Sequence, residues 1–260
     1  MTAPARSPAT AGAWRRQAER RARATFAAIA ALAAIALALP CAVHAQVAGT
    51  LGVASVNRYR GQGTDDVGPV VRASAMLDLP AGAYGGVSGL WRTRDAGLAS
   101  AEAMAGWSGR LQALPGLQSL SPGWGWDAAV HRTHYGEGSR YDFSEAMLGL
   151  LAPDLALRTW FAPHYFGGPA HTFYTELDAR HALDRRWHAF AHLGWLHYGP
   201  APAYQSRQDD RTDTLAGIGL TISSRELQLA RDGVVAGHAR GDLDARGRRA
   251  AWILSARVAF

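Results

Sequence analysis

The chain has 260 residues, and its 27 basic residues, all arginine, outnumber its 21 acidic ones. The first 45 residues hold six of those arginines and one glutamate, so the rest carries 21 arginines against 20 acids, which gives no support to nucleic-acid binding. The single cysteine, Cys41, also lies in that first segment, which excludes disulfide and thiol chemistry from residues 46–260.

Residues 1–45 have the organisation of an export signal. Five arginines form a basic region, residues 26–39 are an uninterrupted apolar stretch, and Val43-His44-Ala45 places small residues at the −3 and −1 positions of a cleavage site. The sequence therefore predicts that residues 1–45 are removed as a signal peptide and that residues 46–260 form one exported domain in the cell outer membrane.

Beyond the signal, apolar residues recur at every second position in segments of about ten to fourteen residues, the length and period of outer-membrane strands. No apolar run there reaches the roughly 20 residues of a membrane helix. The pattern predicts an all-β fold, a transmembrane antiparallel up-and-down β-barrel of about twelve strands. The predicted strands are 47–59, 69–79, 83–93, 100–110, 123–134, 140–151, 154–165, 170–182, 186–198, 211–222, 225–235 and 249–260.

The connections alternate in length. Those after even-numbered strands are tight, as at Ser223-Ser224, whereas those after odd-numbered strands are mostly longer and rich in Gly, Pro, Asp and Arg. Outer-membrane barrels have short periplasmic turns and longer external loops, so both termini are expected in the periplasm. The stretch from Leu111 to Pro122 is long yet falls on the short side, which indicates either a periplasmic excursion or a miscounted hairpin.

The last strand ends the chain on an aromatic residue. Trp252, Leu254, Val258 and Phe260 share one face, because side chains alternate along a strand. An apolar face that runs to a terminal Phe resembles the assembly signal of outer-membrane barrels. We therefore expect recognition by the barrel-assembly machinery and, once the barrel is inserted, contact with the lipid bilayer and lipopolysaccharide.

Several short motifs resemble a proteobacterial outer-membrane family, Gcw_chp, whose function is unknown. They are Ser55 to Gly61, Pro69, Gly82 to Val87, Tyr141 with Glu145, and Tyr174 with Glu176. The resemblance implies an outer-membrane barrel and no particular activity.

The strand faces opposite the apolar ones are expected to point into the bore, where charge must be paired or hydrated. Eight acids and five arginines fall there, which is a small acidic excess. The predicted lumen-lining residues are Arg72, Asp78, Glu102, Glu145, Arg158, Glu176, Asp178, Arg180 and Arg257, together with Arg110, Asp127, Asp213 and Glu226. A barrel of twelve strands is wider than the small barrels whose side chains fill the bore and narrower than the open porins. The prediction is a narrow porin-like channel for small cationic solutes, or a structural barrel, without a cofactor and without enzymatic activity.

Two alternatives rest on histidines. A ring of imidazoles at the outer strand ends could bind a transition metal, although polar aromatics of the interfacial belt explain them more simply. These rim histidines are His134, His164, His171, His197 and His238. An outer-membrane hydrolase would need a serine beside a histidine and an acid. Its candidates are Ser139 or Ser144, His131 or His134, and Asp142.

Overall fold

A computed structural model describes most of residues 46–260. The described residues are 46–60, 62–63, 68–114, 116, 119, 123–136, 139–200, 210–236 and 251–260. The predicted signal peptide, Gly61 and His238 lie outside them. Across the described residues, no helix combines the length and the apolar character needed to span a bilayer.

Twelve of the strands close into an antiparallel barrel in which each pairs with its neighbours along the chain and the first pairs with the last. The first barrel strand, β1 (Gln46–Ala54), is followed by a small hairpin of two-residue strands, β2 (Arg58–Tyr59) and β3 (Gln62–Gly63). The remaining barrel strands are β4 (Val70–Asp78), β5 (Ala83–Arg92), β6 (Leu98–Arg110), β7 (Gly125–Tyr135), β8 (Phe143–Ala152), β9 (Leu155–Ala162), β10 (Thr172–Ala182), β11 (Trp187–Tyr198), β12 (Arg211–Ile222), β13 (Arg225–Ala236) and β14 (Trp252–Ala259).

Alternation along each strand separates an outer apolar face from an inner polar one. On β1, Leu51 and Val53 are exposed on the outer face, and on β8 Leu148 is 70% exposed. Exposed aliphatic side chains of this kind recur around the barrel, which is typical of a wall that faces lipid. The predicted all-β, twelve-stranded antiparallel barrel is confirmed.

Three predicted strands extend too far at one end. β1 ends at Ala54 rather than residue 59, β8 begins at Phe143 rather than residue 140, and β9 ends at Ala162 rather than residue 165. Residues 139–141 and 165–167 are short 3-10 turns instead. At two of these ends the reason is aromatic packing: Tyr59 and Tyr165 prolong the alternating pattern, but they belong to or pack against the buried aromatic cluster and do not continue a wall strand.

The connections confirm the predicted asymmetry in length. At the end of the barrel that carries both termini, here called the termini end, the turns after β4, β8, β10 and β12 each have two to four residues. β6 ends and β7 begins at this end as well, and the two strands pair directly from Ser100 with Tyr135 to Arg110 with Gly125. The long connection between them is therefore an excursion and not a hidden pair of barrel strands. The opposite end is called the loop end.

The barrel closes where β14 pairs with β1. The paired residues run from Thr50 with Ala259 to Ala54 with Ser255. Phe260 extends this contact, because its backbone N–H donates to Gly49 at 3.0 Å and its carbonyl accepts from Gly49 at 2.8 Å. The Phe260 side chain is 80% exposed, and Trp252 and Leu254 are exposed on the same strand. The terminal residue thus adds a last backbone pair to the closing strands.

We predict that deleting Phe260 lowers the yield of folded barrel, because the deletion removes both hydrogen bonds at the end of the closing strand pair. Heat-modifiable migration on gels, after refolding into detergent and after expression in cells, measures that yield. Phe260→Tyr keeps the backbone pair and the ring and serves as the control. Equal folded protein from the deletion and the parent would contradict the prediction.

Candidate functional site

The lumen contains a cavity of about 950 Å³. Its wall is supplied mainly by β1 and by β9 to β14, with two residues each from β4 and β8 and one from β6. Five arginines and eight acids line it: Arg60, Arg72, Arg158, Arg180, Arg257, Glu102, Glu145, Asp154, Glu176, Asp178, Asp213, Glu226 and Asp232. The cavity is therefore a strongly charged space with an acidic excess.

The structure brings most of the predicted lumen residues to this cavity. Eight of the nine principal ones line it, and so do Asp213 and Glu226. Asp78 does not line it; it is exposed at the last position of β4, at the termini end. Arg110 and Asp127 also lie outside the cavity lining, and Asp127 accepts a hydrogen bond of 2.6 Å from the Tyr84 hydroxyl.

One group of charges spans β9 to β12. Arg158 donates to Asp178 at 2.9 Å and lies 3.6 Å from Glu176. His192 stands between two carboxylates, with Nδ1 2.7 Å from Asp178 and Nε2 3.0 Å from Asp213. Each ring nitrogen of His192 therefore has a carboxylate partner on a neighbouring strand. Three acids share one arginine and one histidine, so the acids outnumber the basic groups here.

Tyr174 joins this group to the loop end of the barrel. Its hydroxyl lies 3.0 Å from Nε2 of His192 and donates toward both Asp213 oxygens at 3.3 Å, and the side chain is almost fully buried. The contact crosses β11 at Gly194, where an added Cβ would lie 2.2 Å from the Tyr174 hydroxyl. A glycine at this inward position is what lets a β10 side chain reach β12.

A second group centres on Glu226, which is buried on β13. Its carboxylate forms ion pairs with Arg180 at 3.2 Å, with His188 at 3.0 Å and with Arg257. His188 reaches it over β12 because Gly219 has no side chain there; an added Cβ would lie 2.2 Å from the imidazole. One buried carboxylate thereby gathers two arginines and a histidine from three strands.

The loop end of the barrel is filled on one side by aromatic side chains. Phe143, Tyr165 and Tyr174 are buried there together with Ala162 and Leu196. The loop-end plug, as named here, consists of Tyr59, Arg60, Tyr135, Phe143, Tyr165, Phe166 and Tyr198. Ring contacts connect its members, for example 5.1 Å between the centroids of Phe143 and Tyr165.

Arg60 carries the ionic contact of the plug. It comes from the connection after β1, and both of its terminal nitrogens donate to the Glu145 carboxylate on β8, at 2.5 and 2.9 Å. The Tyr59 hydroxyl donates to the same carboxylate at 3.3 Å. Arg60 and Glu145 are both buried, so the first connection is pinned inside the lumen.

The structure gathers one set of three metal-type ligands in the part of the chain that it describes, namely Glu176, Asp178 and His192, within 4.8 Å of one another. Arg158 already pairs with both acids, and His192 faces a carboxylate on each ring nitrogen. These side chains neutralise one another, so the arrangement fits an ion-pair network better than a vacant metal centre.

The rim histidines do not gather into a ring of ligands among the described residues. His134 pairs with Asp142 at 2.7 Å and His197 with Asp210 at 2.8 Å, while His171 packs against Phe161 and Phe173. Separate partners of this kind fit the belt interpretation better than a shared metal site.

The proposed hydrolase set is only partly assembled. Asp142 and His134 are paired, but the Ser144 hydroxyl accepts from Arg132 at 3.2 Å, and His131 binds Glu102 at 2.6 Å instead. The structure does not describe the position of the Ser139 side chain. The described contacts thus place no serine hydroxyl beside the paired histidine.

A closed antiparallel barrel of twelve strands, with an apolar outer face and a charged lumen, is the fold of an outer-membrane β-barrel. The chain is similar to a structure solved in work on the in-meso crystallization of membrane proteins, at TM-score 0.53 and 10% identity over 82% of this chain and 83% of that one. It is also similar to the NanC porin, at TM-score 0.50 and 9% identity over 82% and 98%.

The KdgM porin matches at TM-score 0.49 and 8% identity, over 83% of this chain and 99% of that one. No family model matches the sequence, and neither does any curated protein. At such identities the similarity to the first two of these structures extends to the barrel fold alone, and the solute has to be inferred from this chain's own lumen.

The sequence pattern does not predict the roles of two residues that organise the lumen, Arg60 and His192. Arg60 follows the first predicted strand, 47–59, and nothing in its local pattern indicates a partner 85 positions away. His192 lies within the predicted strand 186–198, and that position does not indicate a carboxylate partner on each neighbouring strand. The inward glycines Gly194 and Gly219 were the available signal, because a missing side chain on the inner face leaves room for a neighbour to cross the strand.

We predict that Glu226→Gln lowers the free energy of unfolding by about 1 to 3 kcal/mol, because the half-exposed Arg180 and Arg257 lose the buried carboxylate that they meet. Urea unfolding of the barrel refolded into lipid vesicles, followed by tryptophan fluorescence, measures the change. Asp78→Asn, at the exposed end of β4, is the matched control and should shift stability by less than about 0.5 kcal/mol. A loss no larger than the control's would contradict the prediction.

Proposed function

We propose that the protein is a narrow outer-membrane channel for small solutes, and that cations pass more readily than anions. The observation that carries the proposal is the lining of the cavity, with eight acids against five arginines. An excess of one sign of charge around a confined path sets which ion enters. The arginines restrain this preference, because several of them are held in ion pairs with the same acids.

The location and orientation belong to the same proposal. Residues 1–45 act as a cleaved export signal, both termini face the periplasm, and the loop end faces the outside. The exposed aliphatic outer face supports contact with the lipid bilayer and with lipopolysaccharide. The terminal strand that ends on Phe260 supports delivery through the barrel-assembly machinery, and membership of the Gcw_chp family is a prediction of the same kind.

A structural barrel is the second candidate, and the loop-end plug is the observation in its favour. Tyr59 and Arg60 enter the lumen from the first connection and pack against buried aromatic residues. If the plug stays in place, the charged groups fill the bore instead of lining a path. Recording from single barrels separates the two candidates.

We predict that the parent barrel shows small conductance with cations preferred, and that the double variant Glu176→Gln with Asp178→Asn shifts the preference toward anions. The substitutions leave Arg158 and His192 without two of their carboxylate partners, which makes the lumen more positive. Reversal potentials in a salt gradient across a planar bilayer measure the preference.

Asp184→Asn is the matched control for that measurement, because it removes one carboxylate from the turn between β10 and β11, outside the cavity lining. It should behave as the parent does. Folded protein that gives no channel events would favour the structural barrel, and anion preference in the parent would contradict the role given to the acidic excess.

The proposed orientation predicts which end of the barrel reagents reach on intact cells. Residues 46–260 contain no cysteine, so a single introduced cysteine is the only thiol there that a maleimide can label. With Arg94→Cys at the loop end, a membrane-impermeant maleimide should label intact cells, whereas Ser224→Cys at the termini end should be labelled only after lysis. The reverse pattern would show that the barrel is inserted the other way.

A further inference from the structure

The guanidinium group of Arg60 occupies a pocket that other elements build. Its two terminal nitrogens meet the two oxygens of Glu145, at 2.5 and 2.9 Å. Its central carbon lies 4.6 Å from the ring centroid of Tyr174, 5.3 Å from that of Trp160 and 5.7 Å from that of Tyr165. A forked carboxylate contact combined with aromatic faces is the set of interactions by which proteins hold guanidinium groups.

The walls of this pocket belong to the barrel and not to the segment that fills it. Glu145 lies on β8, Trp160 on β9 and Tyr174 on β10, while Tyr165 follows β9. Glu145, Tyr165 and Tyr174 are each at most 5% exposed. Tyr174 is further fixed by its contacts with His192 and Asp213. Residues held in this way keep their positions whether or not a particular cation is present.

The residue that fills the pocket is held in an unfavourable backbone conformation. Arg60 has φ of 49°, in the left-handed region that residues other than glycine rarely adopt. The contacts of its side chain offset that cost. A cation that made the same contacts from solution would release the backbone of Arg60 as it replaced the side chain.

We propose that Glu145, Trp160, Tyr165 and Tyr174 form a binding site for solutes that carry a guanidinium group, here called the guanidinium pocket, and that Arg60 occupies it in the resting barrel. A solute with this group displaces Arg60 and withdraws the first connection from the plug. That this displacement admits the solute to the cavity rests on the proposed channel function, whereas binding to the pocket does not.

The geometry favours a guanidinium over an ammonium group. Both Glu145 oxygens are engaged by separate nitrogens of one planar fork, and a compact ammonium cannot reproduce two parallel bonds while also stacking on the rings. In the parent, Arg60 is part of the same chain as the pocket, so its guanidinium competes with a free solute at a high effective concentration. Free guanidinium compounds are therefore expected to bind the parent far more weakly than a barrel that lacks the Arg60 side chain.

The test uses the refolded barrel in detergent and methylguanidinium as the probe. With Arg60→Ala, methylguanidinium at millimolar concentration should raise Tm, and the shift should grow with the logarithm of its concentration, as for any ligand that binds only the folded state. Methylammonium should give a smaller shift, and the parent should show almost none. The double variant Arg60→Ala with Glu145→Gln should lose the response, because the carboxylate is gone.

If Arg60→Ala refolds poorly by itself, the yield of heat-modifiable barrel with methylguanidinium, compared with methylammonium, is the measurement. Arg72→Ala removes a different cavity arginine and should show no response to methylguanidinium. The proposal is overturned if Arg60→Ala shows no response in either measurement, or if the double variant responds equally. Neither readout depends on conductance, so a failed pocket and a failed channel give different results.

Discussion

The structure depends on one constraint, which is that a backbone surrounded by lipid must satisfy every N–H and C=O within the protein. A closed antiparallel sheet meets this requirement, and the pairing of β1 with β14 removes the last free edges. Closure then divides each strand, because a side-chain period of two sends alternate residues to lipid and to the bore. Leu51 and Leu148 lie on the outer face of that division, whereas Arg158 and Glu226 lie on the inner one.

The inner face has to accommodate charge in a confined space, and the barrel does so by grouping opposite charges across several strands. Glu226 meets arginines from β10 and β14 and a histidine from β11, and His192 stands between Asp178 and Asp213. Such groups need side chains that cross an intervening strand, which Gly194 and Gly219 permit. Paired in this way, the lumen keeps polar groups that would be costly to bury alone and still has an acidic surplus on its wall.

The sequence predicted the fold well because the alternating pattern is imposed by the two-sided environment of a barrel wall. Strand number, pairing order and the inward face followed from it, and eight of the nine principal charges line the cavity. The predicted strand ends were wrong where the chain leaves the barrel wall. Aromatic residues such as Tyr59 and Tyr165 continue the alternation and yet belong to turns that enter the bore. The partner of Arg60 could not be found either, because an ion pair across the barrel leaves no local pattern.

The pairing of Arg60 with Glu145 also orders the steps of folding. The two residues are 85 positions apart, whereas each barrel hairpin joins neighbours in the chain. Contacts between residues distant in the chain pay a larger loop-closure entropy and form after local ones. The first connection can dock only once β8, β9 and β10 stand beside one another, since these strands supply its partners. A residue near the beginning of the barrel therefore takes its final place late, and its docking reports that the middle of the wall is complete.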